Sequence, residues 1–391
     1  MVSIKSSCSA LIKKILSKNN ISNRQDKSFD YEIYEREAFK QAVVSYPPPS
    51  VTIGVNSHCM NRCAFCAYHS KDAKNKSRVY NVPFMVSPKR FKQMVDMCHQ
   101  GGVPNIHLCA TGEPFLHPQI NELLEIMLNS CGYLSFQSSF PIAIMKRNNS
   151  LERIFEWAPH IRKITTDIMS GDPAQHAEIK IGSDYYAILD ILKRLSDLGV
   201  SLESHFVLTK LNYTHIEALA ATLINRDIKC TLAIVNIHPY GFNELTDIRN
   251  AYYSVDLEIT RVLERVTSQC FGSCVNVSVP TPFDTARVCG SLWSRFQVWP
   301  VDITPENRRD ENIVIGGCSA VVLGDMHLGY FFDYSSIMEL WNNPYFVAYR
   351  TKMLNGEYPS MYCVNCSNGF YCINERKLVC GDNDVSLAAE L

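Results

Sequence analysis

The chain has 391 residues, 46% of them hydrophobic and 20% charged, with a formal net charge of −1. That balance is globular and excludes both a disordered chain and a broad basic footprint for nucleic acid. No run of about 18 uninterrupted apolar residues occurs, so no transmembrane helix and no membrane partner are expected.

The first 50 residues read as a polar lead-in, with a short amphipathic helix around Leu11 to Leu16 and a stiff end at Pro47-Pro48-Pro49. Met1 to Asn20 lacks the long apolar core and small-residue cleavage site of a secretory signal, which implies a cytoplasmic protein. Val51–Val55 reads as a strand, followed by the run His58-Cys59-Met60-Asn61-Arg62-Cys63-Ala64-Phe65-Cys66 and a basic stretch, Lys71 to Arg78, expected to be a solvated loop. Ser87-Pro88 has the chemistry of a helix start. Phe91, Met94, Val95 and Cys98 then make an apolar face, and Gly101-Gly102 ends it. Asn105–Ala110 is the next strand, and Ile120, Leu123, Leu124, Met127 and Leu128 mark the next helix. Strands follow at Leu134–Gln137, Ile161–Thr166, Leu202–Leu208 and Thr231–Ile237, with helices at about 151–157, 184–198 and 214–226 between them. Six strands alternating with helices predict an α/β fold with a parallel sheet, whose chemistry sits at the C-terminal ends of the strands. Past residue 241 the pattern loosens into a connecting segment, 242–282, with a helix near Leu257–Val266, and a cysteine-rich region, 283–391.

Sixteen cysteines without a secretory signal argue for metal or redox use over a disulfide framework. Cys8, Cys98, Cys109, Cys131 and Cys230 are scattered in apolar or helical contexts and read as incidental thiols. Cys59, Cys63 and Cys66 differ, because the spacing C-x3-C-x2-C closes three thiols on one face. A cubane [4Fe–4S] cluster held by three thiolates keeps one iron open for a small molecule. A structural zinc is the alternative, with His58 or His69 as its fourth ligand.

The triplet, with the aromatic Phe65 before its last cysteine, resembles the radical S-adenosylmethionine (SAM) superfamily. Thr111-Gly112-Glu113-Pro114, one βα unit later, resembles that family's Gly-Gly-Glu-Pro motif with Thr111 in place of the first glycine. The resemblance implies a partial (β/α)6 TIM-like barrel over 51–241. It implies SAM chelated at the open iron, with Gly112, Glu113 and Pro114 beside it, and reductive cleavage to a 5′-deoxyadenosyl radical by an external flavodoxin- or ferredoxin-like electron donor. Ser139, Thr166 and His205 stand at strand ends where polar SAM contacts are expected, and each is as readily a substrate contact or a structural turn. His238 and Tyr240 are further strand-end residues, with a buried structural role the default.

The tail, with Cys289, Cys318, Cys363 and Cys366 around Trp293 and Trp341, resembles a SPASM/twitch auxiliary domain. That resemblance implies a small cysteine-rich domain holding a second, fully ligated [4Fe–4S] cluster. A competing set, Cys363, Cys366, Cys372 and Cys380, stays open, as does a contribution from Cys270 and Cys274. The implied activity is hydrogen abstraction from an unactivated C–H of a small metabolite or natural-product intermediate, with the auxiliary cluster as electron acceptor. Cross-linking or epimerisation of a ribosomal peptide is the alternative, with Cys270, Cys274 or Cys372 as hydrogen donor in the epimerisation case. A non-enzymatic iron–sulfur or zinc protein is the alternative of another class. About 50 residues before the barrel are too few for a ~100-residue cobalamin domain.

Overall fold

The computed structural model describes residues 29–66, 68–70, 84–109, 112–237, 257–279, 290–300, 313–317, 327–357 and 359. Twelve strands are found among them: β1 Ser50–Ile53, β2 Arg62–Cys63, β3 Ile106–Leu108, β4 Leu134–Gln137, β5 Ile161–Asp167, β6 Lys180–Ile181, β7 Leu202–Leu208, β8 Cys230–Asn236, β9 Val275–Ser278, β10 Arg295–Pro300, β11 Ile313–Gly316 and β12 His327–Tyr330. Ten of them form one sheet in the order β12-β11-β10-β1-β3-β4-β5-β7-β8-β9, and β2 pairs with β6 in a separate ribbon. Every pairing from β10 across to β9 is parallel, whereas β10–β11 and β11–β12 are antiparallel.

The six strands expected from the sequence are present, and two more parallel strands flank them. β9 extends the sheet beyond β8, and β10 lies against β1 with Ser50 opposite Arg295. The sheet therefore does not stop at residue 241. Parallel order follows from the helices that cross between strands. Helix Pro88–Gln100 starts where Ser87 Oγ accepts from the Arg90 amide at 3.4 Å, and it buries Phe91, Met94, Val95 and Cys98. Helix Ile120–Cys131 buries Ile120, Leu123, Leu124 and Met127 and ends at Gly132, whose φ of 73° is a conformation that costs glycine little. Asp184 caps helix Tyr185–Asp197, and helices Ser150–Glu156 and Ile216–Asn225 complete the layer over the sheet.

The two faces of the sheet differ sharply. Val51, Ile53, Leu108, Phe136, Ile164, Phe206 and Leu232 are fully buried in the core beneath the helices. The alternate positions are polar and mostly half-buried: Thr52, His107, Gln137, Lys163, Asp167, His205 and Gln297. A parallel strand packed on both faces would read as a continuous apolar run. Period-two alternation here marks the inner face as a polar lining. Burying each large apolar side chain on the other face contributes about 1.5–3 kcal/mol.

The polar lead-in is more structured than its composition suggested. Helix Tyr31–Glu37, capped by Asp30, packs Tyr34 on Tyr46 with ring centroids 5.0 Å apart. The segment after it is clasped by the C-terminal part of the chain. Trp293 Nε1 donates to the Gln41 carbonyl at 2.8 Å, and Asn342 exchanges two hydrogen bonds with the Val44 backbone. Arg350, fully buried in helix Pro344–Leu354, donates to the carbonyls of Leu292 and Ala42 at 2.8 and 3.1 Å and stacks on Trp341. No helix among the described residues is long and apolar enough to cross a membrane.

Candidate active site

The triplet lies in the loop that leaves β1 at the C-terminal edge of the parallel strands. Asn56, fully buried, folds this loop back: its Nδ2 donates to the Glu113 carbonyl at 2.9 Å, and its Oδ1 accepts from the His58 amide at 2.9 Å. The Glu113 amide donates to the His58 carbonyl at 2.6 Å. Gly112 lies against the same turn, where an added Cβ would stand 2.4 Å from the His58 carbonyl oxygen and 2.6 Å from Asn56 Oδ1. No side chain fits there, which is the close backbone approach expected of this glycine.

Cys63 sits in β2, opposite Lys180 of β6, and the Ala64 amide donates to the Ile179 carbonyl at 2.8 Å. Cys66 follows in a tight turn, its amide 3.0 Å from the Cys63 carbonyl. All three thiols are free and half-buried. Burial pushes Cys59 up to about 12, with the charge of Glu113 adding to it, and pushes Cys63 and Cys66 up as well. Backbone amides already point at the sulfurs, from Asn61 to Cys59 and from Tyr68 and His69 to Cys66. Asn61 itself is buried between the first two cysteines, and its Nδ2 has no hydrogen-bond partner.

These features fit a cluster. Amide donors to thiolate sulfur and a shielded site are the levers that tune iron–sulfur centres. Among the described residues, no three His, Cys, Asp or Glu side chains are grouped as a single metal ion would require. A cubane makes no such demand, because each thiolate binds a different iron.

Glu113 is buried, and both its oxygens have partners. Oε1 accepts from the Phe115 amide at 3.1 Å and from Ser138 Oγ at 2.8 Å, while Oε2 accepts from the Ser139 amide at 2.7 Å. A carboxylate offers about four lone-pair sites, so one more donor can be accommodated. Burial raises its pKa, against the pull of those donors and of Lys180. Pro114 begins the 3-10 turn Pro114–Leu116, which Glu113 caps. Phe65 is half-buried in the cysteine loop, and Ser139 reaches Glu113 through its backbone.

The other strand-end residues separate by face. His205 stands opposite Asp167 in register and belongs to the lining, donating from Nε2 to Glu203 Oε1 at 2.7 Å. Lys163 Nζ meets the other Glu203 oxygen at 2.9 Å, and these partners hold Glu203 down at about 2 despite its burial. Gln137 Nε2 donates to Asp167 Oδ2 at 3.2 Å, and its Oε1 accepts from Cys109 Sγ at 3.1 Å. Cys109 is therefore part of the lining, not an incidental core thiol. Thr166 pairs with Ser204 on the opposite face, fully buried beside Ile164 and Phe206, and its Oγ1 has no hydrogen-bond partner.

Lys180 was not foreseen. It is 1% exposed, and its Nζ donates to the Asp167 carbonyl at 2.8 Å. A single lysine in a turn reads as surface, and only the β2–β6 pairing reveals its place. The lining is different: alternation in Ile106-His107-Leu108-Cys109 carries part of it in the sequence.

Cys289, Cys318, Cys363, Cys366, Cys372 and Cys380 lie outside the described residues, as do His238, Tyr240, Thr111, the Lys71–Arg78 stretch and Leu11–Leu16. Cys270 is buried at the end of helix Leu257–Cys270 and Cys274 lies just before β9, on the far edge of the sheet from β10.

A sequence model of the Radical SAM superfamily matches residues 53–223. No curated protein matches the chain. Among solved structures, Streptococcus suis SuiB bound to its precursor peptide SuiA is similar with a TM-score of 0.61 at 15% identity, over 93% of this chain and 83% of that one. SuiB bound to S-adenosylmethionine gives 0.59 at 16% identity, over 88% and 78%. The chain is also similar to anSMEcpe with bound AdoMet and the Cp18Cys peptide, at 0.56 and 15% identity, over 88% and 100%. At these identities the likeness is one of fold.

Proposed function

We propose, from the radical SAM superfamily domain that residues 53–223 constitute, that this protein cleaves SAM reductively and removes a hydrogen atom from an unactivated C–H bond. The observation that carries the reading is the hydrogen-bonded unit of His58, Asn56, Gly112 and Glu113. It joins the cysteine loop to the Gly-Glu-Pro turn at the C-terminal edge of the strands. Cys59, Cys63 and Cys66 would hold a [4Fe–4S] cluster, which with SAM bound supplies the 5′-deoxyadenosyl radical. Gly112 gives the ligand backbone access, Glu113 offers its remaining lone pair to the SAM ammonium, and Phe65, Pro114 and Ser139 shape the surroundings. His205 and Asp167 lie on the lining and orient a polar substrate. Thr166 would act through the backbone at its strand end, since its side chain lies on the helix side.

The reaction we favour is an oxidation of a small metabolite or natural-product intermediate, supported by the polar, half-buried lining. This reading assigns 283–391 to an auxiliary SPASM/twitch-type domain whose β10, β11 and β12 join the main sheet, 242–282 to a connecting segment that adds β9, and 1–50 to a lead-in. A second cluster on Cys289, Cys318, Cys363 and Cys366 would accept the substrate electron. A flavodoxin- or ferredoxin-like donor would reduce the first cluster in the cytoplasm, where thiols stay reduced. A second reading, peptide maturation, is favoured by the peptides bound in SuiB and anSMEcpe.

The test is spectroscopic. Protein reconstituted anaerobically with iron and sulfide and reduced with dithionite should give the electron paramagnetic resonance signal of a reduced [4Fe–4S] cluster, and SAM should change that signal. A zinc or purely structural iron–sulfur protein would show no such cluster, or one indifferent to SAM.

A further inference from the structure

The ribbon of β2 and β6 sets Cys63 opposite Lys180 and Arg62 opposite Ile181. Arg62 is exposed, whereas Lys180 is 1% exposed. Gly182, at φ +92°, keeps the ribbon flush with the loop: an added Cβ would lie 3.1 Å from the Met60 carbonyl oxygen and 3.4 Å from Asn61 Oδ1. The lysine is thus fixed beside the cysteine loop by backbone pairing on one side and by its bond to the Asp167 carbonyl on the other.

The Lys180 ammonium has an ion-pair partner in Asp167 but no hydrogen-bonded carboxylate. Asp167 Oδ2 is 3.9 Å away, beyond hydrogen-bond range, and that carboxylate is already engaged by Gln137. One carbonyl and a carboxylate no nearer than 3.9 Å leave part of the cost of burying an ammonium uncompensated, and a further negative charge nearby would offset it. His176, the neighbouring titratable ring, accepts from the Met169 amide at 3.1 Å, and an imidazole is neutral or cationic, so it supplies none. The register of the ribbon sets Lys180 directly across from Cys63, so its charge stands beside a cluster ligand. A cubane carried by three thiolates gains one negative charge when it takes up an electron. A fixed cation beside its ligands stabilises that reduced form more than the oxidised one and so raises the reduction potential.

We infer that Lys180 sets the reduction potential of the three-cysteine cluster, acting as a fixed positive charge at its edge. The inference rests on the cluster assignment of the preceding section. The step is a one-electron reduction by an external donor, with no bond made or broken in the protein.

The test uses the reconstituted full-length protein without SAM, in an electron paramagnetic resonance titration against redox mediators. Lys180→Met removes the charge, Lys180→Gln keeps a donor for the Asp167 carbonyl, and Lys180→Arg keeps the charge. The neutral variants should lower the midpoint potential enough to change the reduced-to-oxidised ratio about tenfold at fixed ambient potential, about 59 mV for one electron. The arginine variant should stay near the wild-type value. Neutral variants with full iron content and an unchanged potential would overturn the inference. So would loss of the cluster in all three variants with the fold intact, which would make Lys180 an assembly residue. A wild-type protein that never holds a [4Fe–4S] cluster would instead sink the underlying assignment.

Discussion

The amide of Glu113 donates to the carbonyl of His58 at 2.6 Å, across 55 residues of chain and one βα crossover. Through it the residue beside Cys59 and the residue after Gly112 are held as one piece. The first consequence concerns Gly112. In Gly112→Ala the new methyl would meet the His58 carbonyl and amide and Asn56 Oδ1, all within 2.7 Å, so the turn must open. Overpacking of this kind costs about 1–3 kcal/mol. We expect at least tenfold weaker SAM binding by anaerobic calorimetry, with iron content near wild type, and unchanged affinity would show that the turn is only a connection.

The polar lining makes stability depend on pH. Burial holds His107, hydrogen-bonded to Ser135 Oγ at 2.8 Å, down at about 3 from 6.5. A base whose folded pKa is depressed leaves the unfolded chain binding more protons, so its contribution is full above about 6.5 and is lost as pH falls toward 3. His176 shares that window. Glu203, lowered from 4.5 to about 2, adds a contribution present above 4.5 and lost as pH falls through 2. Unfolding free energies measured in urea should fall from pH 7 to pH 2 in the wild type. His107→Asn should flatten the upper part of that decline and Glu203→Gln the lower part.

Arg350 joins the lead-in to the C-terminal part of the sheet. Arg350→Met leaves the Leu292 and Ala42 carbonyls without their donor while preserving much of the stacking volume on Trp341. Each buried group left unsatisfied costs about 1–3 kcal/mol. We expect a loss of about 2–4 kcal/mol in denaturant unfolding, and an unchanged midpoint would mean the clasp is dispensable.

Much of this architecture is legible in the sequence, for reasons particular residues make plain. Ser87-Pro88 and Gly101-Gly102 bracket their helix because capping is local chemistry, and Leu202–Leu208 is read to the residue because it ends in the apolar run Phe206-Val207-Leu208 between two helical stretches. β9 and β10 were hidden because Val275–Ser278 and Arg295–Pro300 mix polar with apolar residues and stand outside the regular strand–helix alternation of 51–241. The lead-in misleads because its buried apolar residues, Phe29, Ala38 and Val44, are sparse and stand among buried Tyr34, Glu37 and Tyr46, of types less often fully buried. Lys180 is invisible for the same reason. The cysteine triplet and Gly112-Glu113-Pro114 stood out because their spacing is short-range, while the bond that unites them is not.

Iron counting tests the two-cluster proposal. Wild-type protein should carry about eight irons, on the stoichiometry of two [4Fe–4S] clusters. Cys63→Ala and Cys318→Ala should each lose about four, and only the former should lose the response to SAM. Cys318→Ala with eight irons would remove that residue from the auxiliary set.

The most direct measurement is release of 5′-deoxyadenosine, followed by chromatography after the reconstituted protein is mixed anaerobically with dithionite and SAM. The account predicts product from the wild type and from Cys318→Ala, and none above background from Cys63→Ala. A fully loaded wild-type cluster that binds SAM yet yields no more 5′-deoxyadenosine than Cys63→Ala would contradict it.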